Sequence, residues 1–97
     1  MTANLIQRRV FYRTKDGQAD YRFSFEQMVD GAWRAYIENQ PCYGTRDTGA
    51  HPTHRLSDGD RKYVCWTTAL RSEQEARRVA ALWADSTQEY IRTGVRF

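Results

Sequence analysis

Two Asp-Gly pairs, Asp16-Gly17 and Asp30-Gly31, separate three segments in which aromatic and charged residues alternate. Asp-Gly between alternating segments is a strong signal for a β-hairpin, because these two residues adopt the conformations of tight turns more readily than others. The three segments are residues 6–13, 19–27 and 32–38. The sequence therefore predicts two consecutive hairpins, and any fold of this chain must accommodate them.

One strand register satisfies both hairpins, because it matches apolar with apolar and basic with acidic residues at the same time. A two-residue loop in the first hairpin brings together Val10 with Phe23, Tyr12 with Tyr21, and Arg13 with Asp20. A three-residue loop that ends at Gly31 brings together Phe23 with Ile37, Phe25 with Ala35, Arg22 with Glu38, and Glu26 with Arg34. A slip of one residue would lose both kinds of pair, so the pattern predicts this register.

Residues 61–68 alternate again and predict a fourth strand, in which Val64 and Trp66 face inward and Tyr63 faces outward. The preceding segment, 39–60, contains both prolines and shows no periodicity. It is predicted to form one long polar loop or a short excursion from the fold, and loops of this length are often functional.

The stretch "SEQE" at 72–75 is a capping box, which predicts that a helix begins after Ser72. Gly94 is suited to end that helix. Its predicted buried stripe consists of Ala76, Val79, Ala80, Trp83, Thr87, Tyr90 and Ile91. The predicted fold class is therefore α+β: residues 1–97 form one small domain with four antiparallel strands and a C-terminal helix packed on one face. The other face of the sheet is left uncovered.

Charge and cysteine content constrain the function less than the fold. Fifteen basic and twelve acidic residues give a net charge of +3, which permits a polyanionic partner without requiring one. Two cysteines are too few for a disulfide scaffold, and the sequence contains neither a secretory leader nor a membrane-length apolar run. We expect a cytoplasmic protein that does not contact a membrane.

Cys42, His51, His54 and Cys65 are the residues that could suggest zinc, but their spacings of nine, three and eleven differ from the common paired-ligand pattern. A nucleophile-and-base site could be assembled from Cys42, His51 and Asp47, yet nothing in the sequence fixes its geometry. We therefore expect no metal, no cofactor and no catalytic residues.

In the predicted register, the face away from the helix carries basic and aromatic residues without local partners, namely Arg9, Phe11 and Tyr36, with Tyr63 at the end of the row. Platforms for single-stranded nucleic acids use such groups, because bases stack on rings while arginine contacts the backbone. Four more basic residues in or beside the long loop could contact phosphates: Arg46, Arg55, Arg61 and Lys62.

These features predict a non-catalytic binding module that holds single-stranded DNA or RNA on the uncovered face, with the 39–60 loop as a second contact. The alternative is a protein-interaction module or homodimer that uses the same face or an edge strand. A small enzyme based on His51 or His54 is a third hypothesis. Four strands followed by a helix resembles the layout of Whirly-type single-strand-binding domains, in architecture and without a shared motif.

Overall fold

Five strands in one antiparallel sheet and a long helix on one face form the fold of residues 6–97, the part of the chain that the computed structural model describes. The strands are β1 (Ile6–Arg13), β2 (Asp20–Gln27), β3 (Trp33–Ile37), β4 (Arg55–Asp58) and β5 (Arg61–Val64). The helices are α1 (Ala50–Thr53) and α2 (Glu73–Thr93). The order in the sheet is β1-β2-β3-β5-β4, so β1 and β4 are the edge strands. The predicted α+β class is confirmed, with five strands in place of four.

The register of both predicted hairpins is confirmed. Tyr12 lies opposite Tyr21 between β1 and β2, and Phe25 lies opposite Ala35 between β2 and β3. The second turn is the predicted three-residue loop, in which Gly31 has a φ of 90°. Because glycine lacks a Cβ, it adopts this left-handed conformation without steric cost.

The first turn is longer than predicted. The Gly17 amide donates to the carbonyl oxygen of Thr14 at 2.9 Å, and the Thr14 amide donates to the carbonyl oxygen of Ala19 at 3.0 Å. The loop therefore contains four residues, 15–18, and not two. The strand register is unaffected, because the loop gains one residue from each strand.

Segment 39–60, predicted as one long loop, contains both α1 and β4. The second half of the segment forms a hairpin with β5, in which Arg55 lies opposite Val64 and Leu56 opposite Tyr63. The turn between β4 and β5 includes Gly59, which has a φ of 62°. β5 then pairs with β3 and extends the sheet beyond the meander.

The long helix α2 begins and ends where the sequence predicts. The Ser72 hydroxyl accepts from the Glu75 amide at 3.1 Å, and the amide of Gly94 closes the last turn on Tyr90. A capping box predicts that the Glu75 carboxylate accepts from the Ser72 amide. It accepts from the Arg71 amide instead, one residue earlier. Neither α1 nor α2, the helices found in residues 6–97, is long and apolar enough to cross a membrane.

The core lies between α2 and the inner face of the sheet, which is the face covered by the helix. Trp83 is at its centre and forms T-shaped contacts with the rings of Tyr21 and Phe23, at centroid distances of 5.5 and 6.0 Å. Val64 is buried as predicted, but Trp66 is exposed, because β5 ends at Val64 and the chain leaves the sheet there. Trp66 is therefore not buried with Val64 as expected, although both line the same cavity on the α2 side.

Trp83→Ala should lower the free energy of unfolding by roughly 3 to 5 kcal/mol, because Trp83 is 2% exposed and its loss opens a cavity among aromatic rings. Trp66→Ala removes the same side chain from a position that is 44% exposed, and it should cost less than about 1 kcal/mol. Urea unfolding followed by circular dichroism measures both values. Equal losses in the two variants would contradict this description of the core.

Candidate nucleic-acid interface

The outer face of the sheet, the side away from α2, carries the predicted binding residues in a single cross-strand row. Arg9 lies opposite Ser24, Ser24 opposite Tyr36, and Tyr36 opposite Tyr63. Phe11 follows on the same face of β1, two residues beyond Arg9. The structure therefore places Arg9, Phe11, Tyr36 and Tyr63 on one face.

Tyr36 is nevertheless buried, with 2% of its surface exposed. Its hydroxyl donates to the Asp58 carboxylate at 2.7 Å and accepts from the Arg34 guanidinium at 3.0 Å. The Arg61 guanidinium covers its ring at 3.7 Å from the centroid. Burial, followed by the hydrogen bond to Asp58, raises the pKa of Tyr36. The expectation that Tyr36 is an exposed ring is therefore wrong, and no base can stack on it in this arrangement.

Glu26 is the acidic centre of the outer face and is almost completely buried. Its carboxylate accepts from the Ser24 hydroxyl at 2.7 Å, and two nitrogens of Arg61 hold it from β5. The hydrogen bond from Arg61 to Glu26 raises the pKa of the guanidinium. Arg61, predicted to contact a ligand, is thus committed to an internal bidentate pair.

The predicted ion pair of Arg13 with Asp20 is confirmed, at 2.9 Å. Glu26 lies opposite Arg34 as predicted, and Arg61 from β5 also binds its carboxylate. Arg34 also reaches Asp58 on β4 at 3.3 Å. The added β4–β5 hairpin thus supplies a further partner to each of the two residues.

The predicted pair of Arg22 with Glu38 is wrong, although the Glu38 amide donates to the carbonyl oxygen of Arg22 as the register requires. The Glu38 carboxylate lies 3.0 Å from the Arg9 guanidinium, across β2. Arg9 therefore has a partner, contrary to the sequence prediction. Among the outer-face residues of β1 to β3, Arg22 is exposed and is the arginine that forms no ion pair.

Arg46 stabilises the C-terminus of α2 instead of facing a ligand. Its guanidinium donates to the carbonyl oxygens of Ile91 and Arg92 at 3.2 and 3.3 Å. The last carbonyl oxygens of a helix have no backbone N–H partner within the helix. Because the C-terminal end of the helix dipole is negative, a cation at this position is stabilising. The contact comes from a residue 45 positions away, so no local pattern predicts it.

Arg55 is buried and holds together the segment between β3 and β4. Its guanidinium donates to the Thr53 hydroxyl, the Thr48 carbonyl oxygen and the Gln40 side chain, and it lies 4.9 Å from the centroid of the Tyr43 ring. The guanidinium for which a phosphate contact is predicted is therefore occupied by internal contacts in this structure.

Lys62 belongs to the opposite side of the sheet from Arg61 and Tyr63, since neighbouring residues of a strand alternate between its faces. Its ammonium group donates to the Ser57 hydroxyl at 3.0 Å. Tyr63, by contrast, stays on the outer face, half-buried beneath the Arg34 guanidinium at 4.2 Å. Neither residue joins the exposed end of the row.

At the β1 edge of the outer face, Arg9, Phe11 and Arg22 form an exposed group, which we call the Phe11 patch. Phe11 is 71% exposed and lies opposite Arg22 in the register. With Val10 and Glu38, these residues line a shallow cavity of about 340 Å³. The sequence identifies Arg9 and Phe11 but misses Arg22, because it assigns that arginine to Glu38.

The cysteines and histidines are dispersed. Cys42 and His51 are exposed, whereas Cys65 is half-buried at the end of β5. His54 packs on the Phe97 ring at a centroid distance of 4.5 Å. In the part of the chain that the structure describes, no three His, Cys, Asp or Glu side chains are grouped so that they could hold a metal ion.

No family model, no curated protein and no solved structure matches this chain. The surfaces of the protein are therefore the features that indicate its function. Of these, the Phe11 patch is where the predicted binding residues remain accessible.

Arg61→Ala should lower the free energy of unfolding by about 1 to 3 kcal/mol, because it removes two charge-assisted hydrogen bonds from the buried Glu26 carboxylate. Arg22→Ala removes an exposed arginine of the same face and should change stability by less than about 0.5 kcal/mol. Urea titration at neutral pH compares the two. If Arg61→Ala is as stable as Arg22→Ala, the Glu26–Arg61 pair does not stabilise the outer face.

Proposed function

We propose that this protein is a non-catalytic binding module and that the Phe11 patch contacts single-stranded nucleic acid. The observation that carries the proposal is the Phe11 ring, which is exposed in the middle of a regular strand, with Arg9 two residues away on β1 and Arg22 opposite on β2. A single exposed apolar residue is ordinary on a protein surface. An exposed ring flanked by two guanidinium groups is the arrangement that stacks a base and holds its phosphates.

The ion pairs of this patch are weak enough to yield to phosphate. The Arg9 side chain is 82% exposed, so its pair with Glu38 contributes at most about 1 kcal/mol in water. Arg22 has no such pair to break. By contrast, Arg61 and Arg34 are held inside the network around Glu26 and Tyr36, so the cations available to a ligand lie at the β1 end of the face.

An exposed ring at the surface favours unpaired bases, because the bases of a duplex are already stacked and their faces are inaccessible. One ring stacks one base, and arginines contact the backbone without reading the sequence. The patch therefore suits weak, sequence-tolerant binding of single strands, in which several nucleotides follow the β1 edge.

The alternative is a protein contact at β1, since this edge strand has a neighbour on one side only. An exposed edge can pair with a strand of another chain. β1 carries Arg8, Arg9 and Arg13 and no acidic residue, so two copies joined at this edge would bring like charges together. This charge pattern favours an anionic partner over a second copy.

Phe11→Ala should weaken binding of a fluorescent oligo-dT strand by roughly 1 to 3 kcal/mol, because the stacking surface is lost. Arg9→Ala should instead flatten the salt dependence by about one phosphate contact when affinities are compared between roughly 50 and 200 mM salt. Fluorescence anisotropy measures both effects.

Leu56→Ala is the matched control, because Leu56 is an exposed apolar residue at the other edge of the same face. It should bind the strand as the unaltered protein does. Absence of binding at low salt, or equal loss in the Phe11 and Leu56 variants, would refute the proposal. A change of mass from dimer to monomer in Phe11→Ala, seen by light scattering, would support the protein-contact alternative.

A further inference from the structure

A cleft of about 290 Å³ lies on the α2 side of the sheet, away from the outer face. Its floor is formed by the buried side chains of Val64 and Trp83. Its walls are Trp66 from the segment after β5, Leu82 from α2, and Phe97. These five residues come from three separate parts of the chain, and they enclose a concave apolar surface.

The grouping of exposed apolar side chains at this cleft is unusual for a surface. Trp66, Leu82 and Phe97 are three of the seven large apolar residues that are exposed within residues 6–97, and all three line the same cavity. Single apolar residues scattered over a surface need no explanation, whereas a contiguous group marks a contact site. The concave shape further indicates a ligand that enters the surface.

The wall formed by Phe97 is held in place by contacts with two other elements. After Gly94, which has a φ of 77°, the chain turns so that the Phe97 ring packs against His54 and Tyr90 at centroid distances of 4.5 and 6.4 Å. The Nε2 of His54 donates to the main-chain oxygen of Phe97 at 2.6 Å. The cleft therefore exists before any ligand binds.

The polar side chains that line the cleft are few: His54, Cys65, Thr67 and Ser86. The indole nitrogen of Trp83 already donates to the carbonyl oxygen of Thr53 at 2.9 Å, so the ring offers only its apolar surface. Thr67 and Ser86 line the cleft, and neither hydroxyl has a side-chain hydrogen bond to a residue in 6–97. No Lys, Arg, Asp or Glu lines it. A ligand would meet apolar walls, the hydroxyls of Thr67 and Ser86, the Cys65 thiol, and the His54 ring, whose Nε2 is already bonded to Phe97.

We propose that this cleft binds a small, neutral, planar apolar molecule of about bicyclic size that carries one hydroxyl or carbonyl group. A cavity of roughly 150 Å³ holds a benzene-sized molecule, and this cleft has about twice that volume. The rings of Trp66 and Phe97 suit an aromatic ligand, and the free hydroxyls of Thr67 and Ser86 suit its polar group. Because no Lys, Arg, Asp or Glu side chain lines the cleft, it disfavours ions.

A protein partner fits the cleft less well than a small molecule. A stable protein interface buries roughly 800 Å² on each side. The contribution of α2 to this cleft extends only from Leu82 to Ser86, little more than one turn. The inference does not depend on nucleic-acid binding at the Phe11 patch, which lies on the opposite face of the sheet.

The test uses 2-naphthol as the probe and isothermal titration calorimetry on the whole chain. We expect one site with a dissociation constant at or below about 1 mM, which is what ligand efficiency allows for a molecule of this size. The charged analogue 2-naphthalenesulfonate should bind about tenfold more weakly or worse, because no Lys or Arg side chain lines the cleft to pair with its sulfonate.

Leu82→Asp places a carboxylate in the wall and should weaken 2-naphthol binding about tenfold or more. Val95→Asp adds the same charge at an exposed apolar residue outside the cleft lining, and it should change the affinity less than about twofold. Neither variant should alter oligonucleotide binding, which separates this inference from the proposed function. Contacts between 2-naphthol protons and the Trp66 and Phe97 rings, seen as intermolecular NOEs on the unaltered protein, decide the case if Leu82→Asp is unstable.

Three results would overturn the inference. The first is the absence of binding up to the solubility limit of 2-naphthol, and the second is an equal loss in Leu82→Asp and Val95→Asp. The third is a dimer that Leu82→Asp converts to a monomer in light scattering, because the cleft would then be a contact between two copies.

Discussion

The packing of Trp83 against Tyr21 and Phe23 determines which surfaces this protein presents. Its ring forms T-shaped contacts with the two β2 rings, and its indole nitrogen donates to the carbonyl oxygen of Thr53 at the end of α1. This contact covers the inner face of the sheet and leaves the outer face without a helix. The same residue also forms the floor of the apolar cleft, so both candidate surfaces depend on it.

On the outer face, many of the basic and aromatic side chains contact one another and so are not available to a ligand. Arginines cover the rings of Tyr36 and Tyr63, and the Glu26 carboxylate neutralises Arg61 at the centre. Breaking such a buried pair is costly, whereas the exposed pair of Arg9 with Glu38 is worth little. The difference in burial, and not the number of arginines, leaves Arg9 and Arg22 accessible at the β1 edge.

The sequence predicts the first three strands well because turn residues, apolar alternation and charge pairing agree on one register. It misses the β4–β5 hairpin although Asp58-Gly59 repeats the same turn signal, because β4 contains a single large apolar residue, Leu56. Because this hairpin is missed, the predicted exposure of the binding residues is also partly wrong. Once β5 lies beside β3, Tyr63 and Arg61 cover Tyr36, and the predicted exposed ring becomes a buried one.

The loop arginines could not be assigned from local patterns for a different reason. Arg46 caps α2 from a distant segment, and Arg55 bonds to residues whose positions depend on the path of the chain between β3 and β4. Long-range contacts of this kind leave no periodic trace in the sequence. Phe11 could be assigned because its exposure depends only on strand alternation at an edge.

The most direct test of nucleic-acid binding at the Phe11 patch is to map the contact surface. Short oligo-dT is titrated at low salt into isotopically labelled protein while backbone amide resonances are followed by NMR. The account predicts saturable shifts centred on Arg9, Phe11 and Arg22, with the amides around Trp66 and Leu82 unchanged. An absence of shifts, or shifts confined to the α2 side of the sheet, would contradict it.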